Sequence, residues 1–201
     1  MNIIAIETAT DICGIALVQD GTCLEKVEKQ IPQKHAEQLP VFYETLMNFS
    51  NYNQLKVNAI AVSIGPGSFT GLRVGLGFAK GLAYAKSTPI IPVPTLNAIG
   101  VNTKLIGEYS VLLYSHRDIV YCQDFKKNRA FIEPRAVQWE KIDHSKQIFH
   151  YGCEELIKEE KHQRITPSAQ KVGELAAKNY DDWIIDKPYD LVPNYISPFE
   201  L

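Results

Sequence analysis

The chain has 201 residues, 45% of them hydrophobic and 22% charged, with a formal charge of -2. That is enough chain for one globular unit or two small lobes around a real core. The near balance of charge excludes a polybasic nucleic-acid coat and an acidic tail, and the longest apolar stretches fall well short of the ~18 residues a membrane span needs. The opening Met1-Asn2-Ile3-Ile4-Ala5-Ile6-Glu7 has no basic n-region, so it reads as a strand and not as a secretion signal. Cys13, Cys23, Cys122 and Cys153 lie far apart with no C-x-x-C pair. They argue against a disulfide framework or a zinc knuckle, and for a reducing, cytoplasmic compartment.

In chain order, Asn2 to Thr8 is a buried strand by its apolar run. Gly14 to Gln19 and Thr22 to Lys29 flank Asp20-Gly21, a two-residue hairpin signal because glycine accepts the positive φ of a type I′ turn. Leu39, Phe42/Tyr43, Leu46 and Phe49 recur at helical spacing over His35 to Phe49, with Pro40 expected to bend or loosen the first turns. Val57 to Ile64 reads as a strand, Gly65-Pro66-Gly67-Ser68 as a turn ending in an N-cap, and Phe69 to Lys86 as a long helix. Ile90 to Val93 gives another strand, and a helix follows from about Thr95. After Gly107 the composition shifts. Strands are expected at Ser110 to Tyr114 and Ile119 to Phe125, and short helices near Glu154 to Lys161 and Ser168 to Tyr180. The reading is an α/β first lobe over 1–107 and a smaller α+β lobe over 108–201.

Three constellations could carry function. Glu7-Thr8-Ala9-Thr10, at the end of the first strand, can be a phosphate-cradling corner with an acid beside it, or an ordinary polar turn. The turn Gly65-Pro66-Gly67-Ser68 feeds a helix N-terminus, an anion-binding geometry, yet it matches neither the Walker loop nor the dinucleotide fingerprint. Ser68 suits a helix cap, and no G-x-S-x-G elbow makes it a nucleophile. Third, Gly71, Gly75 and Ala79 lie four apart, as do Gly77 and Gly81. Glycine inside a helix costs up to ~1 kcal/mol each relative to alanine, so something must be gained. The gain is close approach, either by a partner helix, which we favour, or by the protein's own sheet.

Charge sets the same helix apart. No acid stands between Glu44 and Glu108, while Lys56, Arg73, Lys80, Lys86 and Lys104 give five positive charges, leaving -7 for the rest of the chain. Arg73 and Lys80, seven apart, could meet an acidic partner or RNA phosphate, although solvated side chains are the ordinary case. The five histidines show no H-E-x-x-H or H-x-x-x-H pairing, so neither a metal site nor a hydrolytic centre is expected.

The run Gly65-Pro66-Gly67-Ser68-Phe69-Thr70-Gly71-Leu72-Arg73, then Gly75 and Ala79-Lys80-Gly81-Leu82-Ala83, resembles the signature of the bacterial TsaB (YeaZ) family. Ile4-Ala5-Ile6-Glu7-Thr8-Ala9-Thr10 resembles its I-x-T-S/A-T start, with Glu7 where Asp is usual. His35-Ala36-Glu37 resembles the start of its first helix, and Pro193-Asn194-Tyr195-Ile196 its closing P-x-Y-L/I. The resemblance implies an actin/Hsp70/sugar-kinase (ASKHA) fold with a trimmed second lobe. It also implies an accessory, non-catalytic role beside the paralogue TsaD and the ATPase TsaE, which together place threonylcarbamoyl on the adenosine beside the anticodon of tRNAs. No cofactor, metal or catalytic residue is implied, and tRNA would be met only within the complex.

TsaD proteins carry an H-x-x-x-H metal pair where this chain has Thr95 and Ile99, and relatives carry an acid near the position of Tyr114. By the same resemblance, the helices at His35 to Phe49 and Phe69 to Lys86 would pack on the equivalent pair of TsaD, or on a second copy as a homodimer. Leu39, Phe42, Leu46, Phe69, Gly71, Leu72, Gly75, Leu76 and Ala79 would form the contact. Glu7, Thr8, Thr10, Gly65 and Gly67 would be what remains of a nucleotide site. A nucleotide hydrolase or kinase using Glu7-Thr8-Ala9-Thr10 and Gly65-Pro66-Gly67, or a metallopeptidase, are the rival readings.

Overall fold

In a computed structural model, which describes residues 1–49, 55–101, 103, 105, 107–157 and 162–196, the chain forms two sheets side by side. The first contains β1 (Asn2–Glu7), β2 (Ile12–Gln19), β3 (Thr22–Gln30), β4 (Ala59–Ser63) and β5 (Ile90–Val93) in the order β3-β2-β1-β4-β5. The first three strands are antiparallel neighbours, whereas β4 and β5 add in parallel through helical crossovers. Asp20 and Gly21 turn the hairpin at φ 49° and 81°, as a two-residue primed turn requires.

Helices α1 (His35–Asn48) and α2 (Phe69–Lys86) cover one face of this sheet. Pro40 lies within α1, which continues through it from His35 to Asn48. Ser68 caps α2, its hydroxyl accepting from the Gly71 amide at 3.2 Å. Ile4, Ile6, Ile15 and Leu17 from the strands meet Leu39, Leu46, Leu76 and Ala79 from the helices in one apolar layer.

The second sheet contains β6 (Glu108–His116), β7 (Ile119–Lys126), β8 (Arg129–Ala130), β9 (Arg135–Gln138), β10 (Gln147–Tyr151) and β11 (Gln163–Arg164). Its order is β11-β10-β6-β7-β8, with β9 also pairing β7. The short α3 (Thr95–Gly100) sits between the sheets. Its Leu96 and Ile99, with Ile12 of β2, join Tyr109, Val111, Phe125 and Phe149 in an apolar seam.

The C-terminal segment crosses back. Helix α4 (Ala169–Lys178), followed by α5 (Tyr180–Trp183), covers the other face of the first sheet, where Val172 and Ala176 pack on Ile3, Ala5 and Ala16. A Cβ on Gly173 would stand 2.5 Å from Val18 Cγ2 and 2.9 Å from Ala5 Cβ, so that helix is seated closely. Residues 169–183, which the sequence groups with the second lobe, thus complete a helix-sheet-helix sandwich around the first sheet. Of the helix expected at Glu154 to Lys161, residues 154–156 form a turn, and residues 158–161 lie outside the described ones.

Candidate functional site

Between the sheets lies a cleft of about 1220 Å³. One wall is the first sheet's two turns, at Ala9 to Asp11 and Gly67 to Gly71. The opposite wall is the end of β6 through His116, with Tyr121, Tyr151 and Arg164.

The turns are locked onto each other and not onto the cleft. Glu7 ends β1 only 1% exposed, and its carboxylate turns back to accept the Ala9 amide at 2.6 Å. Burial, partly countered by that amide, pushes the carboxyl up to about 7. The Ser68 amide donates to the Ala9 carbonyl at 2.7 Å, and the Ile12 amide to Thr10 Oγ1 at 3.1 Å. Thr8 is fully buried and donates its hydroxyl to the Gly71 carbonyl at 2.9 Å. These four donors are therefore satisfied within the chain.

Of the five residues expected in a residual nucleotide site, Thr10 and Gly67 line the cleft, whereas Glu7, Thr8 and Gly65 are buried behind it. A Cβ on Gly67 would fall on the Ala9 carbonyl, and one on Gly65 on the Asn194 carbonyl. These glycines serve close approach of the protein's own backbone. The side chains of Glu7 and Thr8 are likewise engaged within the chain, on the Ala9 amide and the Gly71 carbonyl.

At the positions where a metal pair would stand, Thr95 is buried and its hydroxyl accepts from the Gly65 amide at 3.1 Å, while Ile99 belongs to the apolar seam. Tyr114 is partly exposed on the cleft wall. Among the described residues, no group of three or more His, Cys, Asp or Glu side chains could hold a metal ion.

The expected partner-facing residues divide differently from the sequence reading. Leu39, Phe42, Leu46, Leu72, Leu76 and Ala79 are buried within the chain, and only Phe69 is well exposed. Gly71 and Gly75 are buried as well. A Cβ at Gly71 would collide with the Thr8 carbonyl, and one at Gly75 with Thr8 Oγ1. The expectation that a partner helix approaches over these two glycines is corrected. They admit the protein's own first strand. The other pair, Gly77 and Gly81, has open space where its Cβ atoms would stand.

Arg73 and Lys80 are also spent internally. Arg73 lies over the Phe69 ring at 3.7 Å and its Nε donates to Tyr195 Oη at 3.0 Å, while Lys80 Nζ donates to the Tyr189 carbonyl at 2.8 Å. The segment 188–196 thus runs as a strap along α2, pinned also by the Asn194 amide donating to the Ile64 carbonyl at 2.7 Å. Asn194, Tyr195 and Ile196 reach the cleft.

Sequence reasoning missed Asp11, Tyr151 and Arg164. Tyr151 Oη donates to Asp11 across the cleft, although 140 positions separate them. Arg164 lies over the Tyr151 ring at 4.9 Å and pairs with Glu154 at 2.9 Å. No local motif marks these residues, because each finds its partner only through the fold.

Two lobes with a cleft at their junction, the first built as an antiparallel hairpin extended by parallel crossovers, define an actin-like, sugar-kinase-like fold. The likeness extends to the polyphosphate/ATP-glucomannokinase of Arthrobacter, with a TM-score of 0.53 at 10% identity, covering 89% of this chain and 99% of that one. The match is more extensive to a Pseudomonas aeruginosa protein described as similar to peptidase YeaZ. Its TM-score is 0.80 at 22% identity, covering 98% of this chain and 99% of that one.

Residues 25–180 match the family model described as TsaD, tRNA N6-adenosine threonylcarbamoyltransferase. The tRNA threonylcarbamoyladenosine biosynthesis protein TsaB of Escherichia coli is 41% identical over 96 residues, 48% of this chain and 41% of that protein. The chain belongs to this family, among its TsaB (YeaZ) proteins. It spans about half the length of the curated relatives it matches.

Proposed function

We propose that this chain is an accessory, non-catalytic subunit that supports TsaD, with the ATPase TsaE, in placing threonylcarbamoyl on the adenosine beside the anticodon of tRNAs in the cytoplasm. It docks through the outward face of α1 and α2. The observation that carries this reading is the pair Gly77 and Gly81, one turn apart, exposed and with nothing near their missing side chains. Val41 is 49% exposed on α1, and Tyr43, Val74 and Phe78 are half-buried beside the glycines. Two exposed glycines forgo up to ~1 kcal/mol of helix preference each, and a second helix lying against them offsets that cost by close packing. A homodimer on the same face is expected when TsaD is absent.

The inward turn of Glu7 and the self-satisfied phosphate corner weigh against the nucleotide-hydrolase alternative. The test is to mix the protein with the same organism's TsaD and measure the size of the product by light scattering, with Gly77→Leu/Gly81→Leu as the comparison. The wild type should form a complex and the double variant should not. A double variant that pairs normally places docking elsewhere. Failure of the wild type to pair at all ends the accessory-subunit reading.

A further inference from the structure

Around the axis of α2, the open glycines Gly77 and Gly81 lie between two flanks. Val74 and Phe78 form one, where Tyr43 of α1 meets the Phe78 ring edge-on at 6.0 Å between centroids. The other is the stripe Phe69, Arg73, Lys80 and Tyr84, spaced by fours and sevens, and the strap runs along it. At one end Tyr195 stacks at a tilt on Phe69, 5.1 Å between centroids, and at the other the Tyr189 carbonyl accepts from Lys80. The strap thus borders the glycines on the side away from α1.

Internal contacts fix which way the strap faces. Leu191 packs inward on the apolar layer beneath α2, while Arg73, Lys80 and the Ile64 carbonyl hold the backbone and Tyr195 on either side of it. Tyr189 and Val192 are left pointing outward. Tyr189 is anchored by its carbonyl, so its ring is free for another use. Phe69, Tyr84, Tyr189 and Tyr195 are 54, 79, 72 and 43% exposed. At about 200 Å² for an aromatic side chain, they leave roughly 500 Å² bare beside the glycines, nearly half of it on the strap. An interface of ordinary size covers about 800 Å² on each partner, a little over half of it apolar. With the strap, this side of α2 supplies that apolar share; without it, α2 supplies about half.

We infer that the strap is a third docking element for TsaD beside α1 and α2, with the side chains of Tyr189 and Val192 as its anchors. This rests on the docking reading above: a helix about 10 Å across, seated on Gly77 and Gly81, touches the strap on one side and α1 on the other. Helix α2 carries no acid, and Arg73 and Lys80 stand within the stripe beside the strap. The matching strip on TsaD is therefore apolar and rimmed by carboxylates or carbonyls. Because the strap is clipped to α2 before any partner arrives, little ordering cost falls on binding.

The test is titration calorimetry of the full chain with the same organism's TsaD, using the wild type, Tyr189→Ser/Val192→Ser and Gly77→Leu/Gly81→Leu. Both strap side chains are exposed, so the strap variant should melt as the wild type does. It should bind TsaD roughly thirtyfold more weakly. In the wild-type complex, amides at 189–192 should exchange more slowly than in the free chain. Wild-type affinity in the strap variant, with binding lost in the glycine variant, would remove the strap from the interface and leave the docking reading standing. A wild type that does not bind TsaD ends both. If the strap variant melts lower, the exchange comparison decides, and unprotected amides at 189–192 overturn the inference. Weaker self-association with unchanged affinity for TsaD would assign the strap to pairing of two copies and overturn it as well.

Discussion

Thr8 and Gly75 interlock: the Thr8 side chain occupies the space that a Cβ on Gly75 would need, and its hydroxyl donates to the carbonyl of Gly71, one turn earlier on α2. The end of β1 and the start of α2 are thereby closer than any side-chain pair would permit. Two glycines of the family-like motif are explained by this contact within one chain.

It follows that Gly75→Ala should destabilise the protein despite alanine's higher helix preference. Thr8 is fully buried and its hydroxyl is already engaged, so it has no room to retreat. Overpacking of this kind costs about 1–3 kcal/mol. Gly77→Ala, on the open side, should instead be neutral or stabilise by up to ~1 kcal/mol. Denaturant melts of the two single variants make the comparison. Equal effects would remove the assignment of inner and outer glycines.

Glu7 should make the stability depend on pH in the direction opposite to that of an ordinary salt-bridged acid. Its carboxyl is raised from 4.5 to about 7, chiefly by burial. Below pH 4.5 the group is protonated in both folded and unfolded chains and carries no penalty. Between 4.5 and 7 the unfolded chain ionises first, so stability falls as pH rises. Above 7 the loss is complete, on the order of 3 kcal/mol. Glu7→Gln, which keeps an acceptor for the Ala9 amide, should remove this slope. Its unfolding free energy should exceed that of the wild type at about pH 8 and approach it at about pH 4. A wild-type slope retained in the variant would assign the dependence to another group.

The elements of the first lobe were legible because local rules govern them. Asp20-Gly21 can make little but a primed turn, and the run from Phe69 to Lys86 has a serine cap before it and a helical sequence throughout. Which face of α2 points outward was not legible. Gly71/Gly75 and Gly77/Gly81 share the same four-residue spacing, and only the position of Thr8 tells them apart. The return of α4 to the first sheet was hidden for a related reason. Gly173 fits against Val18 and Ala5, contacts that no local pattern encodes. The small strands β8, β9 and β11 are two to four residues long, too short to show an alternation.

Arg73 offers a test of the strap. With its guanidinium over Phe69 and its Nε on Tyr195, it clips residues 188–196 to α2 without entering the apolar layer. Arg73→Ala should leave the melting temperature within about a degree, as surface changes away from the core usually do. Exchange of amides at 191–196 should rise, while those within α2 stay protected. A large drop in melting temperature would show that the contact supports the fold beyond the strap. Unchanged exchange at 191–196 would show that the other anchors, Lys80 to the Tyr189 carbonyl and Asn194 to Ile64, suffice without it.

Gly173 is the last position where a single methyl group decides an outcome. It lies in α4, over the centre of β1 and β2, and an added Cβ would stand 2.5 Å from Val18 Cγ2 and 2.9 Å from Ala5 Cβ. Both neighbours are fully buried on strands held from both sides, so neither can give way cheaply. Gly173→Ala gains up to ~1 kcal/mol in helix preference but must lift α4 from the sheet, and the net should be a loss of about 1–3 kcal/mol. Trimming the obstacle tests the cause. Val18→Ala alone leaves a cavity and is destabilising, yet in the double variant the methyl group that Gly173→Ala adds partly fills the space vacated at Val18. The double variant should therefore be more stable than the sum of the single losses allows. Additive losses would mean that α4 does not bear on Val18, and a neutral Gly173→Ala would mean that the helix rides higher on the sheet than its contacts indicate.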